Sequence, residues 1–284
     1  MKSLNRKPSR SLGGDIGIIL FLCAMGAFMI LPFVYTIVQS IKPLEELFIY
    51  PPRFFWVNAP TFDNFLRMGQ LASNLWVPFG RYLFNSIFVT VAGTFFHVIT
   101  ASMAAYALAK NRFPGRKLLS NSIQWALLFV GPITAIPQYV LMAVTGMIDT
   151  YWALILPSIG TPMGLFLIQQ NMYVVPDALM EAARIDGAGN FRIYWSIVLP
   201  MVKPALLTAM IFAFQGLWNG ANSGFIYSEE LKVLPTILSQ IALSGIQYAG
   251  VGSAVSVVLL IPPVTVFLLT QSNIMETMAQ SGIK

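Results

Sequence analysis

An all-α membrane protein with six transmembrane helices is the fold this sequence predicts, and three observations predict it. Hydrophobic residues make up 56% of the 284 and charged residues only 10%, where a soluble domain carries about 25% charge. Apolar runs of membrane length recur along the chain, separated by short charged or Pro- and Gly-rich stretches. The Lys and Arg residues, 17 in all, are partitioned unevenly among those stretches. Both tails and the even-numbered loops hold twelve of them: Lys2, Arg6, Lys7, Arg10, Lys110, Arg112, Arg116, Lys117, Arg184, Arg192, Lys203 and Lys284. The odd-numbered loops hold Lys42, Arg53, Arg67, Arg81 and Lys232. The positive-inside rule therefore puts both termini in the cytoplasm. The formal charge of +6 is thereby read as orientation in a bilayer, not as nucleic-acid binding.

In chain order, residues 1–15 form a short basic cytoplasmic tail and 16–275 the membrane domain. The first span, about 16–41, holds Pro32 as a tolerated kink. It lacks a small-residue cleavage site and is expected to stay in place. Residues 42–81, charged and aromatic with five prolines, are too polar to cross and read as an ordered outer loop with a short helix near 62–71. The second span, about 82–109, is dense in Gly93, Ala101, Ser102, Ala104 and Ala105, which permit close packing in lipid. It ends in KNRFPGRK. The third span, 118–144, is interrupted at Gly131-Pro132 and Pro137, and the loop after it turns around Asp149. The fourth, 154–171, is interrupted at Pro157, Gly160 and Pro162. After a polar loop, 172–204, come a fifth span, 205–222, and a sixth, 252–274 with Pro262-Pro263. A cytoplasmic tail, 276–284, closes the chain.

The polar loop carries the most information. Between Glu181 and Lys203 it mixes acids and bases, so it cannot lie in hydrocarbon. Asp177 reads as an N-cap to a short helix of good formers, DALMEAARI. Gly187 falls where that helix must stop, and Asn190 reads as the cap of a second helix, FRIYWSIV, ending at Pro200. The expected shape is helix, glycine turn, helix. Glu181-Ala182-Ala183, Gly187, Ile197 and Leu199-Pro200 match the "EAA" signature of ABC importer permeases at all seven fixed positions. The chain thus resembles the carbohydrate-uptake, maltose-permease-like branch, in particular the smaller of its two membrane subunits; AAYALAKNRFPGRK, residues 104–117, is similar to that branch as well.

The resemblance implies that the elbow docks on an ATPase and couples it to the membrane through Glu181, Ala182, Ala183, Asp186, Gly187, Ile197, Leu199 and Pro200. The alanines would allow close approach to the partner, Gly187 the turn, and Glu181 a charge for the partner to meet. The implied partners are a second permease in a heterodimer, two cytoplasmic ABC ATPase subunits, an extracytoplasmic solute-binding protein and the lipid bilayer. No cofactor is expected on this chain; ATP and Mg are used by the ATPase. The loop from about Trp218 to Tyr248, with Ser223, Tyr227, Glu229 and Glu230, would meet the binding protein, and Gln280 to Lys284 the ATPases.

Read without the resemblance, the residues offer no catalytic constellation and no metal site. The one histidine, His97, has no ligand-spaced companions, so one interhelical hydrogen bond is its expected role. No phosphate-binding lysine motif occurs, and Cys23 has no partner in the chain. Polar and aromatic groups near broken helices are the candidates for a solute path: Asn85, Ser86, Thr134, Gln138, Tyr139, Gln215, Trp218 and Asn219. A permease for a non-sugar solute would share the elbow, although an anionic solute calls for bases inside the spans, which hold none. A multi-span membrane enzyme would need a titratable cluster at a membrane face, and the acids here are scattered.

Overall fold

Every regular element among the described residues is a helix, since a backbone in hydrocarbon must satisfy its own hydrogen bonds. The computed structural model describes residues 12–73, 77–129, 131–220, 223–243 and 245–281; most of the basic N-terminal tail, the end of the fifth expected span and the last three residues lie outside them. The helices are α1 (Leu12–Ser40), α2 (Leu44–Leu47), α3 (Asp63–Ser73), α4 (Phe79–Lys110), α5 (Arg116–Ala126), α6 (Gly131–Val144), α7 (Tyr151–Ile159) and α8 (Pro162–Val174). They continue with α9 (Asp177–Ile185), α10 (Asn190–Ile193), a π-helical turn (Tyr194–Val198), α11 (Leu199–Met201), α12 (Lys203–Asn219), α13 (Leu234–Ala242) and α14 (Ala249–Ser281). Short 3-10 turns at Ser223–Phe225, Glu229–Leu231 and Ile246–Tyr248 complete the set.

Four stretches are long and apolar enough to cross a bilayer: Gly14–Ser40, Phe79–Lys110, Tyr151–Val174 and Ala249–Gln271. They coincide with the first, second, fourth and sixth expected spans. The third and fifth differ from expectation. Residues 118–144 form two helices rather than one: α5 ends at Ala126, and α6 has 14 residues. At 1.5 Å per residue α6 reaches about 21 Å, short of the roughly 30 Å hydrocarbon core. The interruption falls before Gly131, and Pro137 sits inside α6. The fifth run, α12, has 17 residues and adjoins Asn190–Met201 at a bend of 81°. In the fourth run the break lies between Ile159 and Pro162, while Pro157 is accommodated inside α7.

The contacts divide the chain into two units, residues 1–70 with 241–258, and residues 71–240 with 259–284. In the first, the expected outer loop is tied down by polar contacts. The Asn64 amide donates to the carbonyls of Ser40 (2.9 Å) and Lys42 (2.7 Å), and the Glu46 carboxylate accepts from the N–H groups of Asn58 and Ala59. Lys42 is buried and donates to the Arg53 carbonyl. Gly250 is required here, because a Cβ would lie 2.4 Å from the Asn64 amide oxygen.

In the second unit α4 is the central helix, packed on α7, α8 and α12. Its buried stripe repeats every fourth residue, Val89, Gly93, His97, Ala101, Ala105 and Ala109, the spacing that keeps side chains on one helical face. Small residues on that stripe let the neighbouring backbones approach, as expected. One apolar core joins Ala101, Ala105 and Ala109 to Ile168 and Met172 of α8, to Met180 and Ala183 of α9, and to Ile193, Tyr194 and Val198. The polar elbow is therefore rooted in the same core as the spans.

Candidate functional site

The first elbow helix, α9, covers DALMEAARI as expected, but its caps differ. Asp177 is its first helical residue and Pro176 the N-cap; Asn190 likewise opens α10 behind Gly189, and neither side chain caps its helix. The Asp177 carboxylate is engaged elsewhere, by the Lys110 ammonium at 2.7 Å. That charge-assisted bond, followed by the charges of Lys110, Arg112 and Arg184, holds its carboxyl below the ordinary carboxylate range. The C-terminus of α9 closes as sequence reasoning anticipated. Gly187 takes φ +82°, the Gly187 N–H meets the Arg184 carbonyl at 3.0 Å, and the Ala188 N–H meets the Ala183 carbonyl at 2.9 Å. This paired closure needs a left-handed residue at 187, the conformation that glycine adopts without strain.

The second elbow helix runs on past Pro200 instead of ending there. Proline has no N–H and clashes with the carbonyl four residues back; a π turn over Tyr194–Val198 removes that clash, with the Leu199 N–H reaching the Tyr194 carbonyl. The bend comes two residues later, at Val202, ahead of Pro204 in the first turn of α12.

The elbow residues divide by direction. Ala183 is buried in the chain's own core, with Ile197 and Leu199 packed against it. Of the two alanines expected to face a partner, Ala182 is exposed and Ala183 is not. Glu181, Ala182, Asp186 and Pro200 are exposed, beside large apolar side chains in the open: Ile185 at 87%, Phe191 at 70% and Trp195 at 58%. Phe191 and Trp195 stack at 6.3 Å between centroids. Sequence reasoning missed these three, although their position within the polar loop marked them as hydrophobes outside any span.

Of the residues proposed for a solute path, only Thr134 and Gln138 line a cavity together. The Asn85 amide donates to the carbonyls of Glu230 (2.8 Å) and Lys232 (2.9 Å), and its oxygen accepts from Tyr151 (2.7 Å). Ser86 accepts from the Leu234 N–H and donates to the Tyr82 carbonyl. Trp218 donates to the Leu259 carbonyl at 3.0 Å and stacks on Phe214. Gln215 is half-buried and Asn219 exposed. Gln138 alone of the candidates lines a cavity of about 350 Å³, with His97, Ser158, Thr161, Phe212 and Gly216. Thr134 and Gln138 line a second cavity of about 540 Å³ with Thr145 and Thr161. The break between α7 and α8 supplies both cavities with Thr161. His97 is buried, its Nδ1 3.1 Å from the Ile159 carbonyl that the break frees. Its bond thus joins α4 to the interrupted run, the role anticipated for it. Among the described residues no group of three His, Cys, Asp or Glu is placed to hold a metal.

The loop after α12 is fastened at both sides. Asp149, at φ +61°, accepts the N–H groups of Tyr227 (3.0 Å) and Ser228 (2.8 Å) and the Ser228 hydroxyl. These bonds, the hydroxyl's first, lower its carboxyl below the usual range. Tyr227 also shares a 2.9 Å hydroxyl contact with Tyr139, which stacks on Phe225. Glu229 accepts from Tyr82 (3.1 Å), and the Glu230 carbonyl accepts from Arg81 and Asn85. Ser223 opens the 3-10 turn that precedes this segment.

Comparison with known proteins places these features in a wider set. Residues 12–274 match the family described as binding-protein-dependent transport system inner membrane component. Protein LplC of Bacillus subtilis is 33% identical over 95% of this chain and 94% of its own length. The polygalacturonan/rhamnogalacturonan transport system permease protein YtcP of the same organism is 30% identical, covering 82% of this chain and 80% of that one. A crystal structure of a bacterial ABC transporter involved in the import of the acidic polysaccharide alginate includes a chain of the same fold. Its TM-score is 0.76 at 24% identity, covering 94% of this chain and 99% of that one.

Proposed function

We propose, from the premise that this chain belongs to the family of binding-protein-dependent transport system inner membrane components, that it is a permease subunit of an ABC importer for a sugar or oligosaccharide. It is a membrane transport component, not an enzyme. The observation that carries the reading is the family match across residues 12–274; the relative named for polygalacturonan and rhamnogalacturonan, matched over 82% of this chain, supports the carbohydrate.

In this reading the permease domain occupies 16–275 and crosses the inner membrane six times, with 1–15 and 276–284 as cytoplasmic tails. The third crossing is broken between α5 and α6, and the fifth is α12, entered from the loop at the bend after Met201. The loop 172–204 lies in the cytoplasm and docks on an ATPase that binds and hydrolyses ATP with Mg. Glu181, Ala182 and Asp186 offer the exposed polar face, with Ile185, Phe191 and Trp195 as the apolar ground a partner would cover. Ala183, Ile197 and Leu199 hold that face to the core, Gly187 closes its turn, and Pro200 sets its π turn. The complex comprises a second, related permease, two ATPases and an extracytoplasmic binding protein that meets the Tyr227–Glu230 segment. The solute passes by Gln138 and Thr134, beside the break at Thr161.

The test is co-purification of the ATPase with Gly187→Val, run beside uptake of galacturonan oligosaccharides and of a neutral sugar. Valine at φ +82° costs roughly 1–3 kcal/mol, enough to weaken docking about ten- to a hundredfold. Normal ATPase retention together with normal uptake would end the coupling reading. Uptake of neither sugar by the parent would end the carbohydrate one.

A further inference from the structure

We propose that Lys110 is a positioning residue that fixes the start of α9 to the end of α4, so that the docking helix and the central helix move as one body; this rests on the coupling role given to α9 above. Lys110 is the last residue of α4, and its side chain is only 4% exposed. Its ammonium has two partners: the Val175 carbonyl at 2.5 Å and the Asp177 carboxylate at 2.7 Å. Both acceptors flank Pro176, in the link through which α8 passes into α9. A buried ammonium is costly unless it is paired, so the arrangement holds the link against α4 and resists its leaving.

The remaining attachments of α9 are of another kind. Met180 and Ala183 enter the apolar core, and such contacts are non-directional and tolerate sliding. The Lys110 contacts are directional, and they act at the end of α9 farther from the glycine turn. The position suits a lysine for two reasons. Its long stem spans from one helix end to the next chain segment, and its charge sits at the negative end of the α4 dipole. Because α4 packs on α7, α8 and α12, a push on α9 has a rigid path into the membrane helices. A polar cavity of about 510 Å³ opens beside the joint, lined by Asn111, Arg112, Asp177, Glu181 and Arg184 as well as Lys110. The pair is therefore reachable from water while the ammonium itself stays covered.

The experiment places spin labels on cysteines at Asn111 and Ala178, in a Cys23→Ser background, in the complex with its ATPase. The distance between them is read without nucleotide and with ATP and vanadate. In the parent one distance is expected in both states. In Lys110→Met, which keeps the stem and removes the charge, the distance is expected to change between the two states by on the order of 1–5 Å. Asp177→Asn keeps the size of the side chain and an oxygen acceptor while removing the counter-charge, so it tests the same pair from its exposed member, and it is expected to act in the same direction. The proposal is overturned if both variants keep one distance in both states, or if the parent's distance changes with nucleotide. Loss of Gly187→Val from the ATPase, found together with unaltered Lys110 variants, would overturn the joint alone. A parent chain that retains no ATPase would overturn the coupling role too.

Discussion

Gly164→Ala is the substitution for which the structure specifies the conflict most closely. A Cβ at this position would lie 2.1 Å from Nε2 and 2.9 Å from Cε1 of His97, both far inside van der Waals contact. The imidazole is 1% exposed and is held on its other side by the Ile159 carbonyl. It cannot give way without losing that bond or shifting α8. Overpacking costs about 1–3 kcal/mol, and the lost hydrogen bond adds about 0.5–1.5 kcal/mol. The sum, roughly 1.5–4.5 kcal/mol, corresponds to a fall of about 10- to 1,600-fold in the folded-to-unfolded ratio at about 1.4 kcal/mol per decade. The assay is graded SDS denaturation of the permease in mild detergent, with the double-mutant cycle through His97→Ala. Once the ring is gone the added methyl has room, and alanine is the better helix former by about 1 kcal/mol. The second substitution is therefore expected to be neutral or stabilising on the His97→Ala background. A Gly164→Ala protein as stable as the parent, or equal costs with and without the histidine, would refute the reasoning.

Three further outcomes follow from other parts of the molecule. Ala182→Trp is expected to reduce ATPase co-purification while leaving the permease as stable as the parent, whereas Ala183→Trp is expected to destabilise the permease by roughly 1–3 kcal/mol, because only Ala183 is buried in its core. The converse pattern would mean that α9 is rotated from its place here. The Asp149 clamp is expected to protect the Phe225–Glu230 segment from proteolysis at neutral pH. Its carboxyl is held below its ordinary value of about 3.9, so its contribution is complete above that value and is lost as pH falls through the lower folded one. Asp149→Asn should abolish the acid step, and an unchanged profile would dismiss the clamp. For orientation, with Cys23→Ser, a cysteine at Gly115 should react only with membrane-permeant thiol reagents in intact cells, and one at Ser228 also with impermeant ones. The reverse would invert the topology.

Much of this protein was legible in one dimension because the bilayer is a simple solvent. Wherever a helix had to be long and apolar, hydropathy located it, as at Gly14–Ser40 and Phe79–Lys110. The α9 helix was legible for a different reason. Its end is closed by backbone hydrogen bonds that demand a left-handed residue, so the position of Gly187 announced the turn by itself. The broken runs were less legible, because a proline marks a backbone constraint without saying how neighbours will answer it. Pro157 and Pro137 were absorbed into helices, and Pro200 was met by a π turn. Asp177 and Asn190 have the chemistry of caps, yet tertiary contacts gave the Asp177 carboxylate to Lys110, 67 positions earlier in the chain.

Asn85 and Trp218 show the same limit from the side of the solute path. An amide or an indole reads identically whether it awaits a ligand or already serves a neighbour, and partners 145 and 41 residues away leave no local trace. Composition, charge bias and glycine placement act through solvent and through the backbone within a few residues, so the sequence alone determined a helical membrane chain, its principal spans and the α9 turn. Which face of α9 is buried, which polar groups are already satisfied, and where Lys110 fastens the elbow depend on side chains brought together from distant segments, and only the tertiary structure decided them.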